Sequence, residues 1–166
     1  TGSTLGERFF RQSLIALVFA FVFMGIVVFF SFKTLVPSAA VILSAIFDLV
    51  VTMAIVNIIG MRISTAGLAA FLMLIGYSVD TDILLTSKII RGKKEAIMVN
   101  IYDAMGTGML MTFTTIAALT VGIIFSNSEV LTQIMTIVLI GLLVDLISTW
   151  IQNAGILRIY MERKRG

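Results

Sequence analysis

Residues 13–32 read SLIALVFAFVFMGIVVFFSF, twenty positions without one ionisable side chain. At about 1.5 Å of rise per helical residue such a run is about 30 Å long, the thickness of a bilayer's hydrocarbon core. Four more blocks of the same character follow, at about 36–59 (VPSAAVILSAIFDLVVTMAIVNII), 64–87 (STAGLAAFLMLIGYSVDTDILLTS), 105–125 (MGTGMLMTFTTIAALTVGIIF) and 131–157. None alternates with the two-residue period of a membrane β-strand. The expected fold is therefore all-α, a polytopic membrane bundle of five transmembrane helices. The joints SFKTLVP, GMRIS and SNSEV are short, which makes consecutive helices antiparallel neighbours. Pro37 falls in the first turn of the second block, where a missing N–H costs nothing. Residues 1–12 read as an external lead-in, 13–160 as the bundle, 88–104 as a polar, partly amphipathic cytoplasmic joint, and 161–166 as a cytoplasmic tail.

Composition supports the same solvent. Of 166 residues 59% are hydrophobic and 13% charged, where a soluble domain carries about 25% charged residues. The absence of cysteine excludes disulfides, thiolate metal sites and a thiol nucleophile, and the absence of histidine removes the commonest acid–base residue and transition-metal ligand. With no glycine-rich phosphate loop and no nucleophile motif, neither an enzyme, a cofactor, a metal centre nor a nucleic-acid partner is expected.

Lysine and arginine set the orientation. One side of a five-span bundle collects Lys33, Lys88, Arg91, Lys93, Lys94, Arg158, Arg163, Lys164 and Arg165, nine of 12 basic residues; the other holds Arg8, Arg11 and Arg62. The C-terminus and the 88–104 joint are thus expected in the cytoplasm and residue 1 outside, in a multi-pass plasma-membrane protein. Lys93 and Lys94 read as topology signals with anionic lipid as a second contact. An external start without Met implies at least one span, and an exported domain, ahead of residue 1.

Four acids lie in or near the spans: Asp48, Asp80, Asp82 and Asp145. A charged group at the bilayer centre costs about 2.5–3.5 kcal/mol on insertion scales, so several in one bundle without matching cations point to an ion path. Ser44, Asp48 and Thr52 form one stripe at i, i+4, i+8, and Gly141, Asp145, Ser148, Thr149 and Gln152 form a second. Gly76, Asp80 and Ser87 share a face of the third span, while Asp82 points roughly 200° away at 100° per residue. The two neighbouring acids therefore divide, one to the interior and one to a subunit contact or the cytoplasmic water layer, and are no catalytic dyad. Intramembrane proteolysis needs facing carboxylates on two helices, for which Asp48 and Asp80 are the available pair, but the local sequence of such proteases is missing. Small residues at Gly67, Gly76, Gly106, Gly108 and Gly141 suit close helix approach. Thr112, Thr114 and Thr115 fit bonds to their own helix carbonyls better than a hydrated path.

Several of these stretches resemble one family. TLGERFFRQSLIALVFAFVFM is similar to the second-span start of the protein-export membrane subunits SecD and SecF, relatives of the RND transporter superfamily. AAVILSAIFDLVVTMAI resembles their histidine–aspartate pattern, with Phe47 at the His and Asp48 at the Asp. GLAAFLMLIGYSVDTDILLTSKI resembles the signature around Gly76-Tyr77-Ser78, which favours the SecF branch, and the Asp80-Thr81-Asp82 form resembles archaeal members. TFTTIAALTVGIIF and GLLVDLISTWIQNA match the last two spans. The resemblance implies an RND-like membrane domain comprising spans two to six. It implies a protein-export accessory subunit that acts with SecD on the Sec protein-conducting channel and the translocating polypeptide, driven by a proton or sodium ion. Asp48 and Asp80 are then the first titrating candidates, Asp145 and Asp82 the next. Lys88 is a candidate counter-charge, with snorkelling to the interface as its other role. The alternative within the superfamily is a small-molecule or lipid exporter.

Overall fold

The computed structural model describes residues 2–92 and 97–165. The apolar runs become α1 (Gly2–Phe32), α2 (Leu35–Ile58), α3 (Thr65–Arg91), α4 (Ile97–Phe125) and α5 (Glu129–Ile147), and α5 continues through a π-helical segment (Ser148–Asn153) into α6 (Ala154–Arg165). Five helical stretches are long and apolar enough to cross a membrane, the last running from Glu129 to Lys164. The expected all-α, five-span fold is the observed one.

Local chemistry ends the helices. Gly60 takes φ +77° after α2, donates its N–H to Asn57 O at 3.0 Å, and Met61 N–H reaches Val56 O at 3.2 Å, the paired bonds of a Schellman close. Ser128 caps α5 by accepting from Leu131 N–H, with Glu129 in the first turn, where the helix dipole favours an acid.

α3 and α5 pack along each other at the centre. α2 lies against both, α4 joins both, and α1 rests on α2 and α3. α1 contributes one narrow stripe, Met24, Val28 and Phe32, to a cluster with Val41, Ala45, Ile75 and Val79, and leaves Phe19, Phe23, Val27 and Phe30 facing outward. In lipid the outward Phe and Val are in their own solvent, so close packing rather than water exclusion holds the helices together.

That packing explains three of the five glycines expected to pack. A Cβ on Gly67 would lie 2.9 Å from Ile63 Cγ2, and one on Gly108 would lie 2.5 Å from Trp150 Cζ2. One on Gly141 would collide with both δ carbons of Leu74. Gly76 and Gly106 differ from expectation: nothing lies within 4 Å of a Cβ at either, because both face out of the bundle. Gly122, which the sequence reading passed over, sits against Met135 Sδ.

Boundaries also shift. The expected lead-in is already helix from Gly2, and the expected joint is largely helical, since Lys88 to Arg91 finish α3 and Ile97 to Ala104 begin α4. Lys93 and Lys94 lie outside the described residues.

Candidate functional site

Three acids from three helices meet inside the bundle: Asp48 of α2, Asp82 of α3 and Asp145 of α5, at 1%, 0% and 1% exposure. Every hydroxyl that holds them comes from the same helices. Ser78 and Ser148 donate to Asp48 Oδ2 and Oδ1, both at 2.5 Å, and Ser44 donates to Ser148 Oγ at 3.2 Å. Thr81 donates to Asp145 Oδ2 at 3.0 Å. Thr149 Oγ1 stands 3.0 Å from Asp145 Oδ1 and 3.1 Å from Asp82 Oδ1. Asn153 Nδ2 donates to Asp82 Oδ1 at 2.6 Å.

The elements explain this convergence. Ser44, Asp48 and Thr52 follow one another at four-residue spacing on α2, and Ser78, Asp82 and Thr86 do the same on α3. All six are buried. Because α2 and α3 run antiparallel, the two Ser–Asp–Thr stripes face each other head to tail. From α5 into the π segment, Asp145 is followed by Thr149 and Asn153 at four-residue steps. The result is a polar column that spans eight residues of each helix, about 12 Å at 1.5 Å per residue.

The π segment decides which residue completes the column. In an unbroken α-helix Gln152 would follow Asp145, Ser148 and Thr149 onto this face, as the sequence reading expected. The wider π turn holds one extra residue, so Asn153 is buried and Gln152 only half-buried. The register stays shifted beyond it: Leu157 and Met161 face the core.

Asp80 stands elsewhere. The division of Asp80 from Asp82 by helical geometry is what the structure has, but Asp82 takes the inside and Asp80 the outer face, beside Met73, Gly76 and Tyr77. The structure thus groups Asp48 with Asp82 and Asp145, and leaves Asp80 outside that group. Asp82 has Ser78 and Thr86 one turn either side, whereas Asp80 has Gly76 and Leu84; the hydroxyl company was the signal. Asp80 lines a cleft with Thr81, Met111, Thr112, Thr115 and Leu142. The facing Asp48–Asp80 pair that proteolysis requires does not form. Lys88 is no counter-charge to the column: its Nζ donates to Asp103 O at 3.3 Å, at the end of α3. Among the described residues no Lys or Arg pairs with the buried acids, the ion pair being Arg158–Glu162 on the exposed end. Nor do three acidic, His or Cys side chains among them converge on a metal. Thr112, Thr114 and Thr115 bond Gly108 O, Leu110 O or Met111 O of their own helix.

Apolar clusters close the column at both ends. Val56, Ala70, Phe71, Ile137, Val138 and Leu142 lie beyond Thr52, and Leu85, Ile89, Ala104, Ala154, Leu157 and Met161 lie beyond Thr86. Outside the first is an open cleft of about 570 Å³ between the α2–α3 and α4–α5 turns, lined by Arg62, Ser64, Glu129, Gln133 and Thr136 among others. Gln133 ties its rim together, donating to Arg62 O at 2.5 Å and accepting from Ser64.

Residues 1–163 match the family described as protein export membrane protein SecD/SecF, C-terminal. The chain belongs to that family. It is 44% identical over 165 residues to protein-export membrane protein SecF of Pyrococcus furiosus, covering 99% of this chain and 56% of that protein. It is 40% identical over 169 residues to the SecF of Methanocaldococcus jannaschii, covering 99% and 60%. To that of Methanolacinia petrolearia it is 42% identical over 165 residues, covering 98% and 58%. The chain thus spans little more than half the length of these relatives. No solved structure matches it. Among these SecD/SecF members it is a multi-pass membrane protein whose buried acids sit where its central helices cross.

Proposed function

We propose that this chain is the membrane portion of a SecF-type accessory subunit of the Sec protein-export machinery, and that the Asp48–Asp82–Asp145 column couples ion movement to export. One observation carries the mechanism: three carboxylates from three helices share an apolar interior with no lysine or arginine beside them among the described residues. Three bare charges there would repel one another and lack solvation. The column therefore holds protons or small cations, and its charge changes whenever one arrives or leaves. Because each acid is held by hydroxyls of a neighbouring helix, a change of charge alters the bonds between α2, α3 and α5. Two packings of the bundle with different ion affinity are then linked to the ion gradient.

In this reading the chain works with SecD and the protein-conducting channel and carries out no covalent chemistry. Residue 1 faces outside and the basic end of α6 the cytoplasm. The exposed Asp80, with the open Gly76 one turn away, belongs to the surface that SecD covers, since an acid costs too much against lipid alone. Export of a signal-bearing precursor, followed by pulse-chase in cells whose full-length protein carries Asp145→Asn, tests the reading. A strong slowing, with the SecD complex still recovered intact, is expected. Normal export with unchanged dependence on the ion gradient would refute it.

A further inference from the structure

Away from the acid column, Ser87, Lys88, Arg91, Gly92, Asn100 and Asp103 line an open pocket of about 340 Å³ where the end of α3 meets the start of α4. Lys88 and Arg91 are one turn apart on α3, and Asn100 and Asp103 are one turn apart on α4, so each helix presents a polar edge to the gap. Glycine permits the close approach: a Cβ on Gly92 would collide with the Asn100 amide and with Lys88 O. Lys88 is half-buried, its Nζ donating to Asp103 O at 3.3 Å, and Thr107 Oγ1 donates to the same carbonyl at 3.1 Å.

The acid in this pocket does not neutralise its bases. Among the described residues the ion pair is Arg158–Glu162, so neither Lys88 nor Arg91 is paired with the Asp103 carboxylate. Two cations and one carboxylate leave a net positive charge, and the sequence continues past Gly92 with Lys93, Lys94 and Glu95. Such a set suits an anion that accepts several hydrogen bonds at once. A phosphodiester does so, taking them from a guanidinium, an ammonium and a hydroxyl together. The surroundings say what the phosphodiester belongs to. From the pocket, Asp103, Gly106, Leu110 and Phe113 follow at three- and four-residue steps as one stripe of α4. Leu110 and Phe113 are exposed, and nothing lies within 4 Å of a Cβ at Gly106, which leaves a shallow apolar trough. Tyr102, also exposed, stands beside Asp103 as interfacial aromatic rings do. Free phosphate would leave that trough unused, whereas an acyl chain fills it.

We infer that this pocket is a binding site for the headgroup of an anionic glycerophospholipid. Lys88, Arg91 and Ser87 hold the phosphodiester, Asp103 accepts from headgroup hydroxyls, and an acyl chain runs along Gly106, Leu110 and Phe113. The site does not depend on the coupling role of the acid column; the orientation proposed above only places it in the cytoplasmic leaflet. Arg91 is about 16 Å along α3 from Asp80 at 1.5 Å per residue, so a lipid here leaves room for SecD over Asp80.

The test is native mass spectrometry of the purified, delipidated full-length protein in detergent, titrated with dioleoylphosphatidylglycerol or dioleoylphosphatidylcholine. Phosphatidylglycerol is expected to saturate one site with a dissociation constant about tenfold below that of phosphatidylcholine, whose ammonium offsets the phosphate. Arg91→Gln, at an exposed position that folding does not need, and Lys88→Gln should each weaken the phosphatidylglycerol site about fivefold. Lys164→Gln, which takes the same charge from the exposed end of α6, should leave it unchanged. Equal affinity for the two lipids, or an equal loss from Lys164→Gln, overturns the site, since surface charge alone then explains the binding. Inorganic phosphate added as competitor should not displace the lipid; displacement at millimolar phosphate overturns the lipid assignment.

Discussion

Gly141 sets the distance between α5 and α3, and hence between Asp145, one turn beyond Gly141, and Asp82, two turns beyond Leu74. A methyl at Gly141 would meet Leu74 Cγ at 2.8 Å and its two δ carbons closer still. Leu74 is 1% exposed, so its δ carbons have no free space to turn into. Overpacking of this kind costs about 1–3 kcal/mol, and replacing helical glycine by alanine returns up to about 1 kcal/mol. Gly141→Ala should therefore destabilise the protein by about 1–2 kcal/mol. Leu74→Ala alone should cost about 2–5 kcal/mol by leaving a cavity. The double variant places the new methyl in that cavity, so it should be no less stable than Leu74→Ala. The two changes then couple by about 1 kcal/mol or more in the compensating direction. Unfolding by SDS in mixed micelles gives these values, and Trp150, the single tryptophan, packs against Gly108 and reports the fold. Gly76→Ala and Gly106→Ala, which meet nothing within 4 Å, are the controls and should stay within about 0.5 kcal/mol of the parent. Additive costs at Gly141 and Leu74, or equal losses at all these glycines, would show that the α3–α5 contact is not the one described.

Ser148→Ala removes the donor to Asp48 Oδ1 and the acceptor of Ser44 together; a loss of about 0.6–1.7 kcal/mol is expected, and a cycle with Ser44→Ala should be non-additive in the same SDS titration. The chain has no cysteine, so Gly76→Cys labelled with a thiol-reactive photo-crosslinker should form crosslinks to SecD in membranes on illumination, while Phe30→Cys, on the outward face of α1, should give far fewer. Deleting Ile151, 71% exposed inside the π segment, should restore an α-helix with Leu157 and Met161 still facing the core. Asn153 then falls seven positions after Asp145 and still faces the column, so the protein should keep its helical circular dichroism and most of the export proposed for it; a strong export defect in the pulse-chase assay would show that the wide turn itself is needed.

The five spans could be read from hydropathy alone because lipid imposes a length and an apolar composition on any helix that crosses it. Helix ends were harder. Nothing in residues 2–12 or 97–104 is apolar enough to mark a span, yet once a helix is nucleated by its membrane segment, polar residues extend it at little cost. The site was half legible. Periodicity found the Ser44–Asp48–Thr52 stripe and separated Asp80 from Asp82, since both follow from 100° per residue. Which of the two acids faces inward does not follow from angle; it follows from the neighbours at i±4, and only Asp82 is flanked there by hydroxyls, Ser78 and Thr86. Asn153 was hidden for a different reason. Its place depends on a π turn, and a sequence pattern assumes one period throughout.

The arrangement of polar and apolar layers bears on how an ion could cross. The column's hydroxyls and acids run about 12 Å along each helix, and the Phe71–Ile137 and Leu85–Leu157 clusters cover its two ends. A hydrated route cannot be continuous through such a bundle, because each cluster is fully buried and packed. Movement of an ion therefore requires one apolar layer to part while the other stays shut. The antiparallel stripes on α2 and α3 suit that alternation: they leave Thr52 Oγ1 unpartnered at one end and Thr86 Oγ1 at the other. Each is the hydroxyl nearest an apolar layer. The exposed cleft lies on the Thr52 side, so in the orientation proposed above the layer at Phe71 is the one a route from outside must open first.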